Sequence, residues 1–201
     1  MKRVLFAPGF ACTSEIWSGL SIGGIEPLYV RWESSLETVS VARAALENDV
    51  VESEPDVYVG HSLGGLLLLE LLIAEKIPSR PTLIIDAFLD DPADMFKNYV
   101  WEDDKLRGTV VRMLDAQRPL FVPLRRSIGE WTRSGWPEAA IETGAHFVYG
   151  GRGGTEEEVL EALMWPQQAR KQITILPKTS HFLMMEAPKE TSTLIELLLG
   201  K

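Results

Sequence analysis

Asp56-Val57-Tyr58-Val59-Gly60-His61-Ser62-Leu63-Gly64-Gly65 runs from an alternating apolar segment into a glycine-flanked turn. Leu66 to Ala74 follows at once, apolar except for Glu70. The first segment reads as a strand and the second as a helix that is apolar nearly all round. Gly60-His61-Ser62-Leu63-Gly64 fits G-x-S-x-G, with the serine at the apex of a strand–turn–helix. That is the setting of a nucleophile elbow.

The chemistry explains the residues. Ser62 has to occupy a strained backbone conformation that points its hydroxyl away from the chain, and Gly60 and Gly64 let neighbouring backbone pass close by. The new helix brings unpaired N–H groups and its positive dipole end next to the serine, where they favour an oxyanion. The plainer reading is a glycine-rich turn with an incidental serine.

Working outward, the 201 residues are 45% hydrophobic and 24% charged, which suits one globular domain with a sizeable core. A net charge of −9 argues against general nucleic-acid binding. The single cysteine, Cys12, excludes an internal disulfide and suits a reducing cytoplasm. Met1-Lys2-Arg3 and Val4–Ala7 resemble the start of a signal peptide, but Pro8 and Gly9 end the apolar run too early. No apolar stretch is long enough to span a bilayer.

Strand-like and helix-like stretches alternate, which predicts an α/β fold: a mostly parallel sheet of about six strands with helices on both faces. The expected strands are Arg3–Ala7, Pro27–Arg31, Val57–Gly60, Thr82–Asp86, His146–Gly150 and Ile173–Leu176. The expected helices are Ser14–Gly19, Val39–Glu52, Leu63–Glu75, Glu156–Arg170 and Lys189–Leu199. Residues 90–144 break the alternation, with Pro92, Pro119 and Pro123 and with Trp101, Trp131 and Trp136. They read as a small helical cap insertion. Its basic run holds Lys105, Arg107, Arg112, Arg118, Arg125, Arg126 and Arg133, against only Asp115 and Glu130. Such a run meets an anionic substrate or partner, or is simply a solvated helix face.

A serine needs a base within hydrogen-bond reach. Of the three histidines, His61 adjoins the serine but is expected to point the other way, and His146 begins a strand. His181, in Thr179-Ser180-His181-Phe182, follows the last strand and is placed to return to Ser62. The oxyanion would take the Leu63 N–H and a second N–H from the loop Pro8-Gly9-Phe10-Ala11, that of Phe10. Phe10 and Trp17 read either as walls of an acyl pocket or as core.

Taken in order, Phe6-Ala7-Pro8-Gly9-Phe10, Trp17, Gly60-His61-Ser62-Leu63-Gly64-Gly65 and His181-Phe182 with Glu186-Ala187-Pro188 resemble the α/β-hydrolase superfamily over nearly the whole chain. Pro8 stands where that family often has histidine. The compact size is similar to small carboxylesterases, including the pimeloyl-acyl-carrier-protein methyl ester esterases. The resemblance implies a catalytic acid in a G-x-x-D pattern after the fifth strand. Here that place reads Gly150-Gly151-Arg152-Gly153, with glycine where the aspartate is expected. Asp86, ending the strand after the nucleophile helix, is the preferred substitute and Glu156, three residues past the gap, the second, with another acid or none as the remaining alternative. Asp86 otherwise reads as a loop cap, and Glu156 as a first-turn glutamate favoured by the helix dipole.

The resemblance implies a serine hydrolase that cleaves a carboxylic ester or thioester through an acyl-enzyme, without metal or organic cofactor. The substrate would be a small-molecule or carrier-bound acyl ester, with an acidic acyl carrier protein as partner. The alternative is a lyase or a non-catalytic binding protein on the same fold.

Overall fold

The computed structural model describes residues 1–32, 36–89, 94–97 and 103–200. Six strands follow along the chain: β1 (Lys2–Ala7), β2 (Ile25–Tyr29), β3 (Val57–His61), β4 (Thr82–Ile85), β5 (His146–Gly150) and β6 (Ile173–Leu176). They pair in parallel throughout, in the order β2-β1-β3-β4-β5-β6. Successive residues of a strand face opposite sides, and a buried cluster lies on each. Leu5, Tyr58, Ile84 and Phe147 join one. Val4, Phe6, Val59, Ile85 and Val148 join the other. With both faces dry, the inner strands β3, β4 and β5 carry near-continuous apolar runs, whereas the edge strand β2 is half-buried or exposed.

On the first face lie α1 (Val39–Ser53) and α2 (Leu63–Ile73), and α2 buries residues on every side. Between β4 and β5 come α3 (Asp94–Lys97), α4 (Asp104–Ala116), α5 (Phe121–Gly129) and α6 (Trp136–Glu142). α4 adds Val110 and Met113 to the second cluster. α5 and α6 add Leu124, Trp136 and Ala140 to the first. Asp90, Pro92 and Trp101 of the expected insertion lie outside the described residues. The chain ends with α7 (Glu156–Ala162), α8 (Leu183–Glu186) and α9 (Pro188–Leu198).

Three expectations shift. β2 begins two residues earlier than Pro27, because its register follows Lys2↔Ile25 through Phe6↔Tyr29. Pro27 is tolerated there because β2 is an edge strand. The helix expected over Glu156–Arg170 is two pieces, α7 and a 3₁₀ turn over Gln167–Gln172. Pro166 separates them, since it removes a donor and disfavours helical geometry at Trp165. The stretch expected as a helix from Ser14 to Gly19 is a single 3₁₀ turn, Ser14–Trp17, capped by Thr13.

The chain starts in the sheet's interior at β1, runs to the edge as β2, then returns past β1 to β3. The loops leaving β1 and β3 therefore diverge, and the crevice between them is the ligand site expected of an open parallel sheet. Pro8–Phe10 forms one lip and Ser62 the other.

Gly64 decides how close the two lips come. A Cβ there would collide with the carbonyl oxygens of Ala7 and Pro8. Those are backbone atoms inside a paired sheet, so they cannot yield as a flexible side chain would. Gly64→Ala is expected to destabilise the fold by about 3 kcal/mol or more, read as a lower midpoint in chemical denaturation or as loss of folded protein on expression.

Candidate active site

The turn from β3 into α2 holds Ser62 at φ 50°, ψ −120°, a conformation that costs a non-glycine residue free energy. The Ser62 N–H donates to the Ile85 carbonyl at 2.9 Å, which anchors the turn to β4. Its side chain caps nothing although Ser62 is the N-cap residue of α2. Serine at that position ordinarily bonds an N–H of the first helical turn. Here the backbone strain turns the hydroxyl away from that task and toward the crevice. Leu63 opens the helix, so its N–H has no intrahelical acceptor.

The opposing lip is tied down by a residue the sequence reading passed over. The Trp32 indole N–H donates to the carbonyls of Pro8 and Gly9, at 3.0 and 3.1 Å. The Cys12 N–H closes the turn onto Gly9 at 3.1 Å. All three bonds end on the carbonyls of Pro8 and Gly9. Phe10 lines a cavity of about 410 Å³ together with Ser62, Leu63, Leu66, Arg125 and Ile128. Trp17 is not a wall of that cavity. It is buried on the other face against Phe6, at 5.3 Å between ring centroids. Cys12 is buried too, and burial pushes its thiol up to about 12, with a weaker opposing effect from a backbone hydrogen bond. It is therefore a neutral thiol at physiological pH.

Asp86 follows β4 at φ 45° and is fully buried. Its N–H donates to the Val148 carbonyl at 2.8 Å. Its carboxylate accepts four hydrogen bonds. Oδ1 takes the Gly150 N–H at 3.0 Å and Arg152 Nη1 at 3.1 Å. Oδ2 takes Arg152 Nη2 at 2.6 Å and His181 Nδ1 at 2.7 Å. Burial would by itself raise the Asp86 carboxyl. The hydrogen bonds and positive charge of its partners outweigh that and hold it at about 2. Because a carboxylate only accepts, His181 Nδ1 is the protonated nitrogen, and Nε2 carries the lone pair of the neutral ring.

The His181 loop is held from two further sides. Ser180 donates its N–H and its hydroxyl to the Glu186 carboxylate, at 2.6 and 2.7 Å. From β3, His61 Nε2–H donates to the His181 carbonyl at 3.0 Å. Burial, followed by the proximity of His181, lowers His61 well below the usual histidine value, so it is neutral. The expectation that His61 faces away from the serine's crevice holds: alternation places it on the second face with Trp17 and Phe182. It nonetheless supports the loop that carries His181. His146 instead bonds Thr174 at 2.8 Å, across β5 and β6. Glu156 is exposed in the first turn of α7.

Of the residues singled out from sequence, the structure thus joins His181 to Asp86 and places Phe10, Ser62 and Leu63 on one cavity wall. Trp32 and Arg152 were not foreseen. Their signals were faint: a lone tryptophan after an edge strand, and an arginine inside a glycine turn. Among the described residues no group of three or more His, Cys, Asp or Glu side chains is arranged to hold a metal ion. Nor is any described helix long and apolar enough to cross a membrane.

The chain belongs to the alpha/beta hydrolase family, whose model matches residues 4–194. A search of the curated proteins gave no match. Among solved structures, MenH from S. aureus superposes with a TM-score of 0.75 at 11% identity, over 99% of this chain and 93% of that one. A carboxylesterase of the thaumarchaeon Nitrososphaera gargenis gives 0.65 at 10% identity, over 99% and 90%. The thioesterase domain of the curacin biosynthetic pathway gives 0.61 at 16%, over 97% and 90%. At such identities these likenesses establish the fold.

The Asp86 interactions carry a pH signature. A carboxyl held at about 2 when folded, against an ordinary 3.8, stabilises the fold fully above about pH 4. That contribution fades as pH falls through 2. Asp86→Asn is expected to be less stable than the wild type at pH 7. The gap should narrow between pH 4 and 2 in denaturation midpoints measured across that range.

Proposed function

We propose that this member of the alpha/beta hydrolase family is a serine hydrolase that cleaves a carboxylic ester or thioester through an acyl-enzyme. Ser62 Oγ attacks the acyl carbonyl, and its proton passes to His181 Nε2. Asp86 orients the imidazole through Nδ1 and stabilises it once it is charged. The N–H groups of Leu63 and Phe10 receive the oxyanion. His181 then hands the proton to the departing alcohol or thiol. Water, activated by the same imidazole, releases the acid and regenerates Ser62.

One observation carries the reading. A serine in strained geometry, with no capping bond, lines a largely apolar cavity on a sheet that also holds a histidine–carboxylate pair at 2.7 Å. A structural serine gains nothing from that strain. Leu63, Leu66 and Ile128 suit an aliphatic acyl chain. Ser62→Ala is expected to lower kcat on a short p-nitrophenyl ester by about 10⁴-fold or more. It should also abolish labelling by a fluorophosphonate probe. Wild-type protein that neither hydrolyses the ester nor takes the label would sink the proposal in favour of a lyase or a non-catalytic binding protein.

The substrate is a small-molecule ester or an acyl group on an acidic carrier protein, and the exposed basic residues of α5 and its approach favour the carrier. Arg118, Arg125 and Arg126 are exposed. Arg126 is paired with Glu130 at 3.3 Å, a bond weak enough at the surface to exchange partners. Arg118→Glu with Arg126→Glu is expected to raise KM for a carrier-bound thioester several-fold at low ionic strength. KM for a p-nitrophenyl ester should stay put, and equal effects on both substrates would overturn the docking role.

A further inference from the structure

Arg152 is among the most constrained side chains near the candidate site. It follows β5 with φ 49°, inside the turn closed by the Gly154 N–H on the Gly151 carbonyl. Its backbone N–H donates to the Thr179 carbonyl at 2.8 Å, which ties its loop to the one that carries His181. The side chain is only 4% exposed. Nη1 donates to the Gly150 carbonyl at 2.9 Å as well as to Asp86. The guanidinium carbon lies 4.9 Å from the centroid of the Phe96 ring and 5.6 Å from that of Phe88. Those aromatic contacts favour the cation where water is excluded.

We propose that Arg152 is a positioning residue of the hydrolytic site, which acts through Asp86 by clamping its carboxylate toward His181 and sharing its charge. The inference rests on the hydrolase reading above. The two-point contact fixes the plane of the carboxylate. With four hydrogen bonds on two oxygens, rotating that plane breaks several of them at once. The charge consequence is separate from the geometric one. A carboxylate shared with a guanidinium stabilises an imidazolium less than an unshared one. Arg152 therefore moderates the pull of Asp86 on positive charge at the imidazole. The geometric clamp raises the rate, and charge sharing extends activity toward lower pH.

Among the described residues, three other titratable groups lie against this pair or the His181 loop. His61 touches the His181 backbone from β3 and is held neutral by burial. Tyr149 on β5 donates to the Ala87 carbonyl and is raised well above the usual tyrosine value, chiefly by burial. Glu186 on α8 is engaged by Ser180. Neither His61 nor Tyr149 titrates near neutrality in a way that mimics a change at Arg152.

The test compares kcat and KM on a p-nitrophenyl ester across pH for the wild type, Arg152→Met and Arg152→Lys. Arg152→Met is also made in an Asp86→Asn background, and folding is checked by thermal melts. Arg152→Met is expected to lower kcat about 30-fold, well short of the ~10⁴-fold for losing the carboxylate's role, with KM nearly unchanged. Its acidic limb in kcat/KM should move up by about one pH unit. Arg152→Lys keeps the charge but not the fork, so it should retain the wild-type limb with a several-fold lower kcat. In Asp86→Asn, Arg152→Met should change kcat no further. Folded Arg152→Met with wild-type kcat and limb overturns the proposal, as does an equal loss in both backgrounds. If Arg152→Met does not fold, Arg152→Lys decides: unaltered kcat overturns the clamp. An inactive wild type overturns the hydrolase reading and this inference with it. An active wild type with unaffected Arg152 variants overturns this inference alone.

Discussion

No Cβ fits between the first turn of α2 and the carbonyls at the end of β1. That steric limit is the constraint on which the site depends. It lets the loop after β1 and the turn after β3 close on one another, so that Phe10 and Ser62 share a wall. It works because β1 and β3 are adjacent and parallel, with Ala7 opposite Gly60. At the apex of that turn Ser62 holds φ 50° and ψ −120°. The sheet's pairing, through the Ser62 N–H on the Ile85 carbonyl, supplies the stabilisation that holds the strained residue in place.

A second constraint is electrostatic. Asp86 is an ion with no exposed surface, and a buried charge is tolerated only when paired and hydrogen-bonded. Its partners come from two neighbouring strand ends: Gly150 at the end of β5 with Arg152 just after it, and His181 after β6. The carboxylate thereby fastens together the C-terminal ends of β4, β5 and the segment after β6. Glu186 and His61 brace that segment from the far side. The imidazole is held at Nδ1 and at its own backbone, which limits its freedom to swing away.

The inner strands were the most legible part of the chain, because burial on both faces demands short apolar runs, each bounded by turn residues. β5 and β6 match their expected spans residue for residue. Edge and end positions were less legible. β2 has only one neighbour, so its register is set by β1 and not by its own pattern. The stretch from Glu156 to Arg170 has helical composition, yet one proline divides it. Trp32 and Arg152 carried only faint signals. What each does depends on backbone carbonyls or a carboxylate distant in sequence, such as Pro8 for Trp32 and Asp86 for Arg152.

The sequence by itself determined the parallel α/β architecture, the elbow at Ser62 and the order of serine, acidic residue and histidine. Those features are local: periodicity, glycines at a turn and residue type at a strand end specify them. Which carboxylate meets His181 was left open, with Asp86 preferred over Glu156 and the absence of an acid still in play, and only the tertiary structure brought Asp86 to it. Asp86 and His181 are 95 residues apart, brought within 2.7 Å because parallel strands deliver all their C-terminal ends to one edge. Glu156, much nearer in sequence, is exposed in the first turn of α7. The arginine that clamps the carboxylate arrives by the same route, since proximity across a sheet edge is fixed by strand order and not by separation along the chain.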